Sequence, residues 1–365
     1  MHFQLALAEV SGKSHEFKMS LENHQNSEWP AEGLEYLGCC PVCGSRNRVM
    51  QYANLRDRLF AAPGIWTMYQ CENCDVRYLD PRPDTSSIGM AYAAYYTHQE
   101  IRENTGDTLR GWFKLGLKNG YLNNTWHSAL SPAFPRIARI LSRIVPSWTN
   151  TFDHVVLRDL PKVKSGHLLD IGCGNGAYIK RIKALGWTVR GIDLDRQAIE
   201  YAKAQHLDVM EGDLSVFDGE QELFDVVTAN HVVEHVHDPV AFLQSCWRLL
   251  KPGGMLRIES PNFNSTGSME FGESWRGLEP PRHLVLFTHD NMKNCLHKVG
   301  FREISHSGWM PQYGPMFQLS KNLKNRISQE AVNLTILEKW KIRFQDAYLR
   351  KCESRREFFT FNCVK

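Results

Sequence analysis

The chain contains no long run of apolar residues. None of its 365 residues belongs to a stretch that approaches the roughly 20 apolar residues of a membrane-spanning helix. Its first residues hold only the short apolar piece 3–8, which no basic segment precedes, so a secretory signal peptide is not expected. We therefore expect a soluble, cytoplasmic protein without a membrane span.

An excess of charge of either sign is also missing. Because 43 basic and 40 acidic side chains leave a net charge of only +3, a nucleic-acid partner is not favoured. An evenly spread cysteine framework is absent too, since five of the ten cysteines fall between Cys39 and Cys74. This clustering indicates a reducing compartment and one metal site.

Composition divides the chain into four parts. We predict a flexible lead over 1–35, a zinc ribbon over 36–83, a helical connector or lid over 84–150, and a catalytic domain over 151–365 that includes a C-terminal helical insertion and a last strand. Within the connector, residues 126–146 are amphipathic. A packed linker or lid helix is favoured there over a membrane-surface helix.

Two Cys-x-x-Cys pairs stand in the second part, Cys40 with Cys43 and Cys71 with Cys74. Four thiolates on two tight turns give tetrahedral zinc coordination with no open position, so we predict structural Zn²⁺. Two turns without metal, or a redox pair, are the alternatives, and Cys39 is a fifth thiol beside the first pair.

Strand-like and helix-like segments alternate from His167 onwards, which predicts an α/β domain with a doubly wound, mostly parallel, Rossmann-like sheet. The first strand ends in a glycine loop, where Gly172 and Gly174 allow a tight turn and the close approach of a ligand. Asp193 ends the next strand, where a carboxylate can bind both hydroxyls of a ribose. Asp213 follows the third strand and can accept from an adenine amino group.

The glycine loop also satisfies a dinucleotide pattern, Gly172-x-Gly174-x-x-Ala177, so a nicotinamide cofactor is the alternative ligand. Asp170 argues against it, because a carboxylate just before the loop would repel a pyrophosphate but attract the ammonium group of an amino acid. These features together favour S-adenosylmethionine.

Four segments in order, 168–176, 191–193, 224–227 and 250–254, resemble successive motifs of class I S-adenosylmethionine-dependent methyltransferases. The resemblance implies a seven-stranded sheet, with the cofactor lying across the carboxyl ends of the first strands. The cofactor-binding residues that it implies are Asp170, Gly172, Cys173, Gly174, Asp193, Leu194, Asp213, Leu214 and Asn230.

Two further segments, 231–236 and 275–284, resemble a bacterial methyltransferase subfamily with an N-terminal zinc ribbon, similar to methyltransferase domain 23. Its members often modify sugars, glycan precursors or other small metabolites. The resemblance implies O- or C-methylation of a small-molecule or glycan-linked acceptor, with a sugar-like substrate favoured. Two alternatives are an RNA- or DNA-modifying methyltransferase that uses the ribbon for binding, and a non-catalytic cofactor-binding regulatory module.

The residues after the fourth strand approach the methyl group in this fold, which makes His231, Glu234 and His235 candidate catalytic residues. His283, after the fifth strand, is the fourth. We favour His235 as general base because histidine titrates near neutral pH, with His283 second and Glu234 orienting one of them. Structural histidines are the alternative reading. The match of 231–235 to a zinc-peptidase motif is rejected, because the segment directly follows a strand.

Three residues are candidates for substrate binding, namely Trp275, Arg282 and His283. We expect Trp275 and Arg282 to shape the acceptor pocket, where an arginine would suit a phosphate or a carboxylate. The alternative is that Trp275 belongs to the core and that Arg282 is engaged in a salt bridge.

Overall fold

The computed structural model describes residues 27–93, 108–325 and 334–365. Most of the predicted lead (1–26), part of the connector (94–107) and part of the C-terminal insertion (326–333) lie outside the described residues. Among the residues described, no helix has the length and apolarity needed to cross a bilayer.

The N-terminal part is built from short strands around the cysteine pairs. The bounds of the strands are β1 Leu34–Glu35, β2 Arg48–Leu55, β3 Trp66–Cys71, β4 Arg77–Leu79 and β5 Arg82–Pro83, with 3-10 turns at Ala31–Gly33 and Ile88–Tyr92. Strands β2, β3 and β4 pair antiparallel in that order, and β1 pairs with β5. We call β2 to β4, with the four paired cysteines, the cysteine ribbon.

Residues 27–35 pack on the ribbon, although the sequence placed them in a flexible lead. The side chain of Trp29 is buried, and its ring meets that of Trp66 edge to face with 5.3 Å between the ring centroids. The indole N–H of Trp29 also donates to the Gly33 carbonyl over 3.2 Å. Residues 27–35 are ordered despite their polar composition because burial of the large Trp29 side chain stabilises this packing.

Helices occupy the described part of the connector. They are α1 Leu109–Trp126, α2 Pro135–Ile144 and α3 Pro146–Thr151, followed by a π turn at Phe152–Val156. The C-terminal end of α1 is fastened to the segment that leads into the next domain, because the indole N–H of Trp126 donates to the Pro161 carbonyl over 3.1 Å.

Strands and helices alternate in the C-terminal part. Their bounds are β6 His167–Ile171, α4 Ala177–Lys183, β7 Thr188–Asp193, α5 Arg196–Ala204, β8 Val209–Glu211, β9 Phe224–Asn230, α6 Pro239–Leu249, β10 Leu250–Pro261, α7 Thr266–Phe271, β11 Val285–Leu286, α8 His289–Val299, β12 Arg302–His306, α9 Tyr313–Lys324, α10 Ile336–Leu349 and β13 Phe358–Val364. The large sheet has seven strands in the order β12-β13-β10-β9-β6-β7-β8, parallel except for β13, which runs antiparallel to β10 and β12. This confirms the predicted doubly wound fold.

The central strands β6 and β9 are buried along nearly their whole length, because helices cover both faces of the sheet. Their carboxyl ends meet at one edge, and each is followed by a loop that carries candidate site residues.

One strand joins the two parts of the molecule. The short β11 pairs antiparallel with β4, so that Val285 lies opposite Tyr78 and Leu286 opposite Arg77. The ribbon sheet therefore has four strands, and its last strand comes from the segment that directly follows His283.

Candidate functional site

The glycine loop between β6 and α4 has a backbone that favours glycine. Gly172 and Gly174 have φ angles of +70° and +53°, in the left-handed region where side chains are strained. A Cβ on Gly172 would stand 2.7 Å from Val232, whereas a Cβ on Gly174 would have no heavy atom of the described residues within 4 Å. The loop is therefore open on the Gly174 side, where a ligand can approach the backbone.

Asp193 fixes this loop from the end of β7. One of its carboxylate oxygens accepts from the Gly174 amide over 2.7 Å, and the other accepts from the Asp195 amide over 2.9 Å. Burial raises the pKa of Asp193, although these amide bonds oppose the shift. One carboxylate thus holds the loop after β6 to the carboxyl end of β7.

Asp213 stands at the next strand end. The Gly212 amide donates to the Asp193 carbonyl over 3.0 Å, which joins the two strand ends, and the Asp213 carboxylate accepts from the Ser215 amide over 2.9 Å. Leu214 is buried and Leu194 is exposed. The carboxyl ends of the parallel strands β7 and β8 are neighbours. They therefore bring together the four predicted residues Asp193, Leu194, Asp213 and Leu214.

Asp170 is fully buried at the end of β6. Its carboxylate accepts from the Thr228 hydroxyl over 2.6 Å and pairs with Arg158 over 2.5 Å. Burial raises its pKa, and Arg158 opposes this effect. The cation beside Asp170 is thus a guanidinium of the chain itself, in the position where the sequence led us to expect the ammonium group of a ligand.

Asn230, the last residue of β9, lines a small open cavity. Arg257 donates to Asn230 over 2.6 Å and pairs with Glu259 over 3.2 Å. His154 and Thr360 also line this cavity. Arg257, Glu259, His154 and Thr360 were not among the site residues predicted from the sequence, although an arginine between the apolar residues 256 and 258 of β10 indicates a buried ion pair.

His231 lies between two carboxylates. Its Nδ1 is 3.4 Å from Glu234 and its Nε2 is 3.3 Å from Glu259. Burial lowers the pKa of His231, but the two carboxylates outweigh it and raise that pKa to about 9. His231 is therefore a cation at neutral pH. It contacts both Glu259, which lines the cavity, and the buried Glu234.

His235 and His283 form a ring pair with 4.8 Å between their centroids. The Nδ1 of His235 donates to the Arg282 carbonyl over 2.9 Å, and the Nδ1 of His283 donates to the Gly277 carbonyl over 2.8 Å. Because a carbonyl only accepts, Nδ1 carries the hydrogen in each ring, and Nε2 is the nitrogen left to accept a hydrogen bond or a proton. Burial lowers the pKa of His283 to about 4, so that this ring is neutral.

The loop that carries His283 is held by a buried cation. Arg282 has no exposed surface and donates to Asp57 over 2.8 Å, to Glu279 over 3.0 Å and to the Ala91 carbonyl over 2.8 Å. Its guanidinium also lies 4.6 Å from the ring centroid of Phe60. The carboxylates that Arg282 binds thus belong to the protein itself, which corrects the expectation that it faces the acceptor.

Trp275 belongs to the core, which is the second correction to the expected acceptor pocket. Only 1% of its surface is exposed, its indole N–H donates to Glu357 over 3.2 Å, and its ring packs against Phe263. Burial raises the pKa of Glu357 to about 7.

The four paired cysteines converge. Their sulfur atoms lie within 4.8 Å of one another, with 3.5 Å between Cys40 and Cys74 and the same distance between Cys43 and Cys71. These separations are far longer than the roughly 2 Å of a disulfide bond, and they suit four thiolates around one ion. Cys39 is not part of the cluster.

The charge on His231 gives a prediction. The pKa of His231 is raised from 6.5 to about 9, so the charged ring stabilises the folded protein through its two carboxylates. This contribution to the free energy of unfolding is fully present below pH 6.5 and is lost as the pH rises through about 9. The urea midpoint of the wild type should therefore fall across this window, and the His231→Gln variant should lose most of that slope. His297→Gln, at an exposed position on α8, should keep it. A wild type and a His231→Gln variant with the same pH dependence would contradict the assignment.

Comparison with known proteins agrees with this geometry. Residues 143–306 match a family model described as a methyltransferase domain. A ubiquinone biosynthesis O-methyltransferase of Cereibacter sphaeroides is 32% identical over 169 residues, which cover 43% of this chain and 68% of that protein. The enzyme of the same description from Coxiella burnetii is 32% identical over 108 residues, or 28% of this chain, and the match spans only 46% of its length.

A solved S-adenosylmethionine-dependent methyltransferase from Archaeoglobus fulgidus is similar at 18% identity and a TM-score of 0.40, over 62% of this chain and 94% of that one. The family model, the relative from Cereibacter sphaeroides and the strand order observed here carry the assignment. The chain belongs to the class I S-adenosylmethionine-dependent methyltransferase family.

Proposed function

We propose that this chain binds S-adenosylmethionine at the carboxyl edge of the sheet and methylates an oxygen or carbon atom of a small-molecule or glycan-linked acceptor. The observation that carries the proposal is the bridge from Asp193 to the Gly174 amide, with Asp213 at the next strand end. The glycine loop, Asp193 and Asp213 thus lie one after another along the edge of the sheet. This matches a ligand whose amino-acid part, ribose and adenine follow one another in the same order.

The residues at this edge fit the cofactor. The open side of Gly174 allows close approach of the ligand, Asp193 suits the ribose hydroxyls and Asp213 suits the adenine amino group. S-adenosylmethionine supplies a methyl group on a sulfonium sulfur, so the chain has to align the acceptor and remove its proton where needed.

His235 is the general base in this proposal. His231 is already protonated at neutral pH, and His283 is a weak base because burial lowers its pKa to about 4. His235 is only partly buried, and its Nδ1 is fixed by the Arg282 carbonyl, which leaves Nε2 to take a proton. His283 lies beside it, with 4.8 Å between the two ring centroids, and the anionic Glu234 lies close to both rings.

The cavity next to Asn230 is our candidate for one end of the acceptor site. His235 does not line it, but His231, four residues earlier in the same loop, contacts the lining residue Glu259. Charged and hydrogen-bonding side chains such as Arg257, Glu259 and Thr360 line the cavity, which suits an acceptor rich in hydroxyl groups and favours a sugar-like molecule. The relatives named above are O-methyltransferases of ubiquinone biosynthesis, and this supports a small molecule as acceptor.

The cysteine ribbon binds one structural Zn²⁺ in this proposal. Four thiolates leave no open position for a water or a substrate, so the ion would fix the turns around Cys40 and Cys71 and take no part in methyl transfer. The turn around Cys71 leads into the ribbon strand β4, which pairs with β11.

Calorimetry tests the cofactor site. Wild-type protein should bind S-adenosylmethionine, and Asp193→Ala should weaken this binding by roughly tenfold or more, because it removes hydrogen bonds to a charged group. The matched control Asp218→Ala, at an exposed carboxylate, should bind as the wild type does. Binding of a nicotinamide cofactor in place of S-adenosylmethionine would refute the proposal.

Turnover tests the base. With an acceptor found by screening metabolites against labelled S-adenosylmethionine, His235→Ala should lower kcat by roughly 10²- to 10⁴-fold while the affinity for the cofactor stays unchanged. His297→Gln should match the wild type. Full activity of His235→Ala would exclude His235 as the base, and cofactor binding without turnover on any acceptor would favour a regulatory module.

A further inference from the structure

The helix pair α1 and α2 presents large apolar side chains to solvent. Leu109 is 82% exposed, Ile140 is 60% exposed and Ile144 is 72% exposed, and Trp112 and Phe113 are nearly half exposed. None of these five residues has a role in the proposed methyl transfer. A cluster of this kind on a protein surface marks a site of contact with another molecule or with a membrane.

The exposed residues of α2 form two adjacent stripes. Ile137, Ile140 and Ile144 recur at intervals of three and four residues, which places them on one side of the helix, and Ala138 on another side is buried. Arginines precede each isoleucine at positions 136, 139 and 143 and form the neighbouring stripe. An apolar stripe beside a row of arginines is the pattern of a helix that lies in a membrane interface.

The segment that forms this surface carries charge of one sign. Residues 108–152 contain six lysines and arginines and no aspartate or glutamate. The basic residues are Arg110, Lys114, Lys118, Arg136, Arg139 and Arg143. In a chain with nearly balanced charge overall, this segment is complementary to an anionic surface.

The helix pair is held rigidly. Phe134 sits against Gly116, where an added Cβ would come within 2.3 Å of the phenyl ring, and its amide donates to the Gly116 carbonyl over 2.8 Å. Asn119 and Asn123 of α1 donate to carbonyls of the loop that leads to α2. The Tyr121 hydroxyl donates to Asp153 over 2.8 Å, which anchors α1 to the rest of the chain. The apolar surface is therefore pre-formed.

A second exposed apolar helix lacks the charge pattern. Trp340 and Phe344 of α10 are 53% and 70% exposed, but α10 also carries Glu338 and Asp346 among its basic residues. This helix therefore provides a matched comparison of similar apolarity and mixed charge.

We propose that the surface formed by α1 and α2 docks on an anionic phospholipid bilayer. The isoleucines and Trp112 enter the boundary between headgroups and acyl chains, and the arginines of α2 contact lipid phosphates. A nucleic acid would use the arginines but leave the isoleucine stripe in water, so the two stripes together favour a membrane. The docking is independent of the proposed acceptor and base.

Flotation of the full-length protein with vesicles tests this proposal. Vesicles of phosphatidylcholine with phosphatidylglycerol should carry the protein, whereas vesicles of phosphatidylcholine alone should carry much less, and high salt should weaken the binding. The double variant Ile140→Ser/Ile144→Ser should lower the partition coefficient by roughly tenfold or more. Arg136→Gln/Arg143→Gln should do the same on anionic vesicles only.

The control Phe344→Ser in α10 should bind vesicles as the wild type does. Binding of S-adenosylmethionine by each variant, measured by calorimetry, shows that the variant is folded and keeps the failure of this proposal distinct from a failure of the methyltransferase proposal. Three results would overturn membrane docking. They are a wild type that ignores anionic vesicles, binding that depends on Phe344 and not on the isoleucines, and a dimer that the isoleucine variants dissociate without any effect on vesicles.

Discussion

The buried guanidinium of Arg282 is the interaction on which the arrangement of the site depends. A charge without exposed surface is tolerated only when it is paired, and removing one partner of such a pair typically costs about 3–5 kcal/mol. The partners are Glu279 in the same loop and Asp57 between two strands of the cysteine ribbon. The loop that contains Glu279 and Arg282 can therefore take its shape only when the ribbon packs against it. The pairing of β4 with β11 then fixes the residues that follow His283.

Two histidines depend on this anchor. The Arg282 carbonyl accepts from His235, and His283 is the next residue along the loop. Their neighbour His231 is set by the sheet instead, between the carboxylates of Glu234 and Glu259. The imidazole of His231 is thus kept charged, whereas Nδ1 of His235 and of His283 donates to a backbone carbonyl. Three similar side chains therefore have different environments and different proposed roles.

The sequence predicted the features that are coded locally. The order of strands and helices, the glycine loop and the position of Asp193 depend on short-range periodicity and backbone geometry, and all are present. The distant partner of Arg282 was not predictable, because Asp57 lies 225 residues away and no local pattern connects the two residues. The burial of Trp29 was missed for the same reason, since its partner Trp66 comes from a later strand.

In our proposal, a zinc ion in the cysteine ribbon holds the loop at residues 276–286 in place through Arg282. Hydrogen exchange with and without a chelator, on protein whose zinc content is first measured, can test this link. We expect one zinc per chain, and loss of protection in residues 276–286 when the metal is removed, with the glycine loop at 170–176 unaffected. The variant Asp57→Asn should expose the same segment in metal-loaded protein. Protein without zinc, or unchanged protection of residues 276–286 after the metal is removed, would rule out this role of the ribbon.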